Sequence, residues 1–163
     1  MRQNKIRFKQ GILFLLLLPV VCTVITEIQK FWLAFAPNHA GMLAKVGISA
    51  AFAHNTGAAF GLFGGKAFLL GLFALLTCSF FVYGAFTAKE KFSTFFKTGA
   101  VLFCAGMCGN AAERLINGYV FDYIKLTFVN FPVFNFYDIA ITTGAGILCA
   151  ATLFNKSEKR LDK

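Results

Sequence analysis

The sequence is short of acid. Its 163 residues carry only seven Asp and Glu against 16 Lys and Arg, a formal net charge of +9, and charged residues of both signs make up 14%. Soluble domains run near a quarter charged, so this scarcity argues against a soluble single domain, a disordered chain and a fibrous protein alike. Hydrophobic residues reach 58%, with 22 Phe and a mean hydropathy of +0.68. The length suits one domain, and there is no internal repeat or low-complexity linker. In a soluble protein the basic excess would point to nucleic acid; in a chain this apolar it points to the inner loops of a membrane protein, with no nucleic-acid partner. The five cysteines form no CxxC and have no His beside them. Cys104 and Cys108 share a helix face, but two thiols do not make a metal site. His39 and His54 are far apart, with no third ligand. No metal and no cofactor are expected, and the cysteines read as small packing residues.

Four apolar stretches read as helices, because a backbone in lipid has to bond within itself. A span needs about 20 residues. The run from Ile12 to Ile25 is short for one, and extending it over 11–32 takes in Glu27 and Lys30. The others fall at 67–86, 98–114 and 133–154, the last behind Pro132. Basic residues before an apolar run and Cys22 also resemble a cleaved export signal. Val21 stands where such a cleavage site wants a small residue, and three more spans follow. The expectation is an all-α membrane protein, one integral domain over 1–163.

The basic residues divide unevenly. The N-terminal tail, the segment between spans two and three and the C-terminal tail hold 11 of them, and the other side holds five: Lys30, Lys45, Lys66, Arg114 and Lys125. The positive-inside rule then places both termini in the cytoplasm and the segments 33–65 and 115–132 outside.

The acids divide more informatively. Glu90, Glu158 and Asp162 lie among inner Lys and Arg. Glu27, Glu113, Asp122 and Asp138 all converge on the outer membrane boundary. An ionisable group at that depth is costly and is paired or functional. Glu27 has Lys30 at i, i+3 as a local partner, and Glu113 has comparable local options. Asp138, within Phe134-Asn135-Phe136-Tyr137-Asp138-Ile139, has no basic neighbour in sequence. Two Asp in a semi-dry site resist joint ionisation and share one proton. The ionised member activates water, while the protonated one polarises a carbonyl and later feeds the leaving amine. A cation or proton path is the other use of such carboxylates, though four short spans are few for a transporter that does not oligomerise.

Compact polar motifs surround these acids: His54-Asn55-Thr56-Gly57-Ala58-Ala59-Phe60-Gly61, Gly106-Met107-Cys108-Gly109-Asn110-Ala111-Ala112-Glu113-Arg114, Gly118-Tyr119-Val120-Phe121-Asp122-Tyr123 and Phe131-Pro132-Val133-Phe134-Asn135-Phe136-Tyr137-Asp138. Asn110 and Arg114 share one helix face, as do Asn135, Asp138 and Thr142. In order and spacing the set resembles the lipoprotein signal peptidases (signal peptidase II) over nearly the whole chain. That family has four membrane helices, an Asn-x-Gly-Ala-Ala motif in the first outer segment, Gly-Asn-x-x-Asp-Arg ending helix three, a Val-x-Asp-Phe-like motif and Asn-x-Ala-Asp opening helix four. The resemblance implies an aspartic endopeptidase of the bacterial cytoplasmic (inner) membrane, monomeric, with its site at the outer face. Its substrates would be diacylglyceryl-modified prolipoproteins, cut before the lipidated Cys among membrane lipids. Asp122 and Asp138 would be the catalytic dyad. Asn55, Gly57, Asn110, Arg114 and Asn135 would shape the site and hold substrate, with Glu113, Glu27 and Lys30 in support. The alternative is an inactive paralogue that binds lipidated precursors or another membrane partner.

The departures from the family pattern are three. The family's first helix carries Asp-Gln-x-x-Lys; counting back from Lys30 puts Thr26 at the Asp and Glu27 at the Gln, unless a one-residue shift brings Glu27 to the Asp. Glu113 replaces the third-helix Asp. Tyr137 replaces the Ala of Asn-x-Ala-Asp, where a phenol either donates a hydrogen bond or fills space that lipid or substrate would need. Over the site, partial alternation in Lys45–Phe52 predicts a short strand, and an amphipathic piece is expected near Phe31–Phe35, with Trp32 as an interfacial anchor.

Overall fold

The computed structural model describes residues 2–87 and 92–161, so Lys89, Glu90 and Lys91 of the expected inner loop, and Asp162 and Lys163, lie outside the described residues. Four long helices carry the chain: α1 (Arg2–Phe35), α3 (Ala67–Thr87), α4 (Thr94–Asn117) and α5 (Phe136–Leu161), with a short α2 (Ala40–Lys45) after a 3₁₀ turn, Ala36–His39.

Helix α3 shows what drives the arrangement. Its small residues Ala67, Gly71, Ala74, Cys78 and Ala85 are buried, while Phe68, Leu69, Phe73, Leu76 and Phe80 are exposed. A small stripe inward with large apolar side chains outward suits packing in lipid, where close backbone approach replaces the hydrophobic drive. Its hydroxyls are hidden too: Thr77, Ser79 and Thr87 each donate to the carbonyl four residues earlier, at 2.8–2.9 Å. Among the described residues, three stretches are long and apolar enough to cross a membrane, one within Lys9–Lys45, then Ala67–Thr87 and Phe136–Phe154.

Helix α4 falls short of that apolarity for a structural reason. It packs against α1, α3 and α5, so much of its surface meets protein rather than lipid and tolerates Asn110. Its contact with α5 is very close: a Cβ on Gly106 would overlap the Tyr137 carbonyl, and one on Gly144 the backbone of Phe103. Ser93 caps its start by accepting from Phe96 N at 3.1 Å, and Gly118, left-handed at φ 80°, ends it. These caps extend the helix beyond 98–114 at both ends.

Two strands lie at one end of the bundle. β1 (Ile48–Asn55) joins α2 to α3, β2 (Val120–Leu126) joins α4 to α5, and they pair antiparallel. Ala50 faces Ile124 and Ala53 faces Asp122, so two residues of β1 pass one of β2, a bulge. Phe134 bridges Ile124 from outside the strands, and this extended stretch starts α5 at Phe136 rather than at 133. The expected strand lies slightly later than predicted, and β2 was not expected as a strand. The stretch Phe31–Phe35 is no separate amphipathic piece: it is the last turn and a half of α1, with Trp32 edge-on to Phe136 at 5.9 Å between ring centres.

Candidate active site

Both strands and the start of α5 deliver polar side chains to one place. Asp122, on β2, is 2% exposed, and Asn135, at the threshold of α5, is fully buried. Asn55 Nδ2 at the end of β1 donates to Asp122 Oδ2 at 3.1 Å, and Asn135 Nδ2 donates to Asp122 Oδ1 at 2.8 Å. Asn135 Nδ2 also reaches Asn110 Oδ1 at 3.2 Å, and Asn110 Nδ2 donates to Asp138 Oδ1 at 2.7 Å. An unbroken line of amides thus links the two carboxyl groups.

Asp138 is held a second way. Its N–H donates to Asn135 Oδ1 at 3.0 Å, and its Oδ2 accepts from Asn135 N at 3.1 Å. This reciprocal pair is the capping box of a helix N-terminus, so the residues that open α5 also fix the carboxylate.

Gly57 and Arg114 brace the site from the turn after β1 and from α4. Gly57 N donates to Asn55 Oδ1 at 3.0 Å, turning the chain after the strand. A Cβ there would lie 2.6 Å from the Leu62 carbonyl, so only glycine fits. Arg114 Nη2 donates to Gly57 O at 2.7 Å. Among the described residues Arg114 makes no ion pair, and its Nε is buried with no partner.

Asp122 and Asp138 line a cavity of about 710 Å³ with Asn55, Asn110, Arg114 and Thr142. The rest of its wall is mostly apolar, chiefly Phe60, Phe63, Leu70, Phe73, Phe131 and Ile141. Burial pushes the Asp122 carboxyl up to about 6; the neighbouring Asp138 carboxylate adds to the rise, and the Asn55 and Asn135 amides and Arg114 oppose it. The sign for stability follows. A carboxyl whose affinity for protons is higher folded than unfolded stabilises most below its unfolded pKa, and that contribution is lost as pH rises through the folded value. Thermal stability is therefore expected to fall between about pH 4 and pH 6, by on the order of 3 kcal/mol at about 1.4 kcal/mol per unit. Melting curves across that range should show this slope, and Asp122→Asn should flatten it.

Not every sequence candidate joins this cluster. Glu27 and Lys30 pair with each other at 2.7 Å on the exposed side of α1, their side chains 62% and 65% exposed. Glu113 stays off the cavity wall and ties elements together: its Oε2 accepts from Phe121 N at 2.7 Å, one residue before Asp122, and its Oε1 meets Gln29 Nε2 of α1 at 3.4 Å. Tyr137 is not on the cavity wall either; it meets Thr26 instead, at 2.8 Å. Sequence reasoning passed over Tyr123, fully buried, whose Oη accepts from Phe136 N at 3.0 Å and so helps seat α5. The signal was its place inside the Gly118–Tyr123 motif. The cysteines are free; Cys108 lies beside Cys78, sulfur to sulfur 3.5 Å.

Known proteins are similar to this chain in sequence and in fold. The family model described as signal peptidase (SPase) II matches residues 18–154. A lipoprotein signal peptidase of Syntrophomonas wolfei is 33% identical over 144 residues, 86% of this chain and 94% of that protein. One from Lactococcus lactis is 32% identical over 148 residues, 88% of this chain and 96% of its own length. Another from Lactobacillus gasseri reaches 37% identity over 112 residues, 69% of this chain and 71% of its own. A solved bacterial membrane enzyme, determined by the in meso method at 2.3 Å resolution, superposes with a TM-score of 0.63, covering 84% of this chain and 92% of that one at 24% identity.

Proposed function

The chain belongs to the signal peptidase II family, and on that premise we propose that it is an intramembrane aspartic endopeptidase. Its substrates are diacylglyceryl-modified prolipoproteins, cut before the lipidated Cys. The observation that carries this reading is the joining of Asp122 and Asp138 through Asn135 and Asn110 on the wall of a mostly apolar cavity. Two carboxyl groups in such a setting hold one proton between them. The ionised member takes a proton from water, which attacks the scissile carbonyl; the protonated member donates to the carbonyl oxygen. On collapse of the tetrahedral intermediate a proton passes to the leaving amine. Asn55, Asn110 and Asn135 hold the carboxylates by donating to them, and the phenylalanines of the wall give acyl chains and a signal helix a surface that does not require them to leave lipid.

The chain crosses the inner membrane four times, α4 included although no stretch of it is as apolar as those of the other three long helices, with both termini in the cytoplasm. The 11-to-5 division of basic residues supports this topology. Pairing of β1 with β2 puts the α1–α3 and α4–α5 connections at one end of the bundle, which is then the outer end. The enzyme acts as a monomer.

The test uses purified protein in liposomes with one precursor in diacylglyceryl-modified and unmodified forms. Mass spectrometry should find a new N-terminus at the modified Cys and leave the unmodified precursor intact. Cleavage of both forms, or of neither, would overturn the substrate assignment.

A further inference from the structure

The residue before Asp138 is a buried phenol with no part in the chemistry above. Tyr137 is 7% exposed. Its ring lies over Gly109 of α4, where any Cβ would overlap it, and packs with Ile25, Ala105 and Ala140. Its hydroxyl meets Thr26 Oγ1 of α1 at 2.8 Å. Counting protons gives the direction of that bond. Thr26 Oγ1 already donates to Cys22 O at 2.9 Å, and a threonine hydroxyl has one proton to give. Tyr137 is therefore the donor and Thr26 the acceptor.

This single side chain ties the first turn of α5 to α4 on one side and to α1 on the other. Asp138 is the next residue, about 100° further round the helix, and it reaches Asn110 at 2.7 Å. Rotating that turn would carry the Asp138 carboxylate off Asn110 and away from the line of amides that leads to Asp122. Two of the three departures noted in the sequence, Thr26 and Tyr137, are 111 residues apart in the chain and are here one contact.

We propose that Tyr137, through its hydrogen bond to Thr26, is a positioning residue that sets the orientation of Asp138 toward Asp122. The proposal rests on the reading of these two aspartates as the catalytic pair. It requires the hydroxyl as well as the ring, and it requires Thr26 to serve as acceptor.

The experiment is a mutant cycle: Tyr137→Phe, Thr26→Val, the double variant and Thr26→Ser, each checked for folding by its melting curve. Cleavage of the diacylglyceryl precursor by Tyr137→Phe should fall about 10- to 100-fold in kcat, the range for a small misplacement of a reacting group, with KM within about twofold. Thr26→Val should lose at least as much, because it strands the phenol without an acceptor. The double variant should fall no further than Thr26→Val, and Thr26→Ser should recover activity. A second readout needs no turnover: the infrared carbonyl band of the protonated carboxyl pair, identified by its loss in Asp138→Asn, should shift in Tyr137→Phe and Thr26→Val. An unmoved band, or losses that add independently in the double variant, would overturn the positioning role. A wild-type enzyme that cuts nothing while the band still shifts would overturn the assigned reaction and leave the positioning role standing.

Discussion

Asp122→Asn and Asp138→Asn are each expected to abolish cleavage of a lipidated precursor, by at least about 10³- to 10⁴-fold, since each removes a proton-transfer partner outright. Both variants should stay folded, which makes the loss interpretable. In Asp122→Asn the amide oxygen still accepts from Asn135, and the cost is one mismatched contact with Asn55, whose Oδ1 is already committed to Gly57 N. Such a contact is worth about 1 kcal/mol. Against it, the variant no longer has to bury a charge that its surroundings disfavour, so at pH 8 its melting temperature should match or exceed that of the wild type. Asp138→Asn keeps one of its two accepted bonds, from Asn110 or from the Asn135 N–H, and loses the other. Where the bond kept is the one from Asn110, the capping of α5 weakens by about 1 kcal/mol. Cleavage measured beside thermal melting decides the matter. Turnover near wild-type level in either variant would remove that residue from the dyad, while a collapse of melting together with turnover would reduce it to a structural part.

How much of this was legible in the sequence depended on which surroundings a residue would meet. Helix α3 is a charge-free run of apolar residues and could be read directly. The strand β2 could not, because Val120, Asp122, Tyr123 and Ile124 are buried on both faces of the strand, and a strand buried on both faces has no alternation to detect. The late start of α5 depends on Phe134 pairing with Ile124, a contact ten residues back that no local pattern encodes. For the site, the order of Asn55, Asn110, Asp122, Asn135 and Asp138 was visible; that Asn135 touches both aspartates and Asn110 was not. Spacing put Asn135 and Asp138 on one helix face, but the bond to Asp122 comes from packing of α5 against β2 and α4. Glu27 illustrates the opposite limit. Its sequence position suggested the site, while its i, i+3 partner Lys30 suggested a surface pair, and helical geometry at the end of α1 favours the pair.

Asn135 carries the second large effect, because one side chain performs two separable jobs. Its Oδ1 caps α5 by accepting from Asp138 N, and its Nδ2 donates to Asp122 and Asn110. Asn135→Ala removes both. The cap is worth about 1 kcal/mol, and an Asp122 oxygen left in a buried site without its donor costs about 1.5–3 kcal/mol more. A loss of roughly 3 kcal/mol in stability is expected from those terms together, with cleavage gone. Asn135→Asp separates the jobs, since aspartate caps a helix as well as asparagine does but offers no N–H. It also sets a third carboxyl group where Nδ2 stood, 2.8 Å from Asp122 Oδ1. Protonated, that group can still donate to Asp122; ionised, it repels it. Its proton affinity is thus raised in the folded state, and the stability it confers is present at low pH and lost as pH rises through the raised pKa. Asn135→Asp should melt near the wild type at pH 4–5 and fall below Asn135→Ala at pH 8, a crossing that a purely steric role for Asn135 does not produce. Parallel melting curves for the two variants, with no crossing, would show that Asn135 acts on α5 alone and that its contact with Asp122 is incidental.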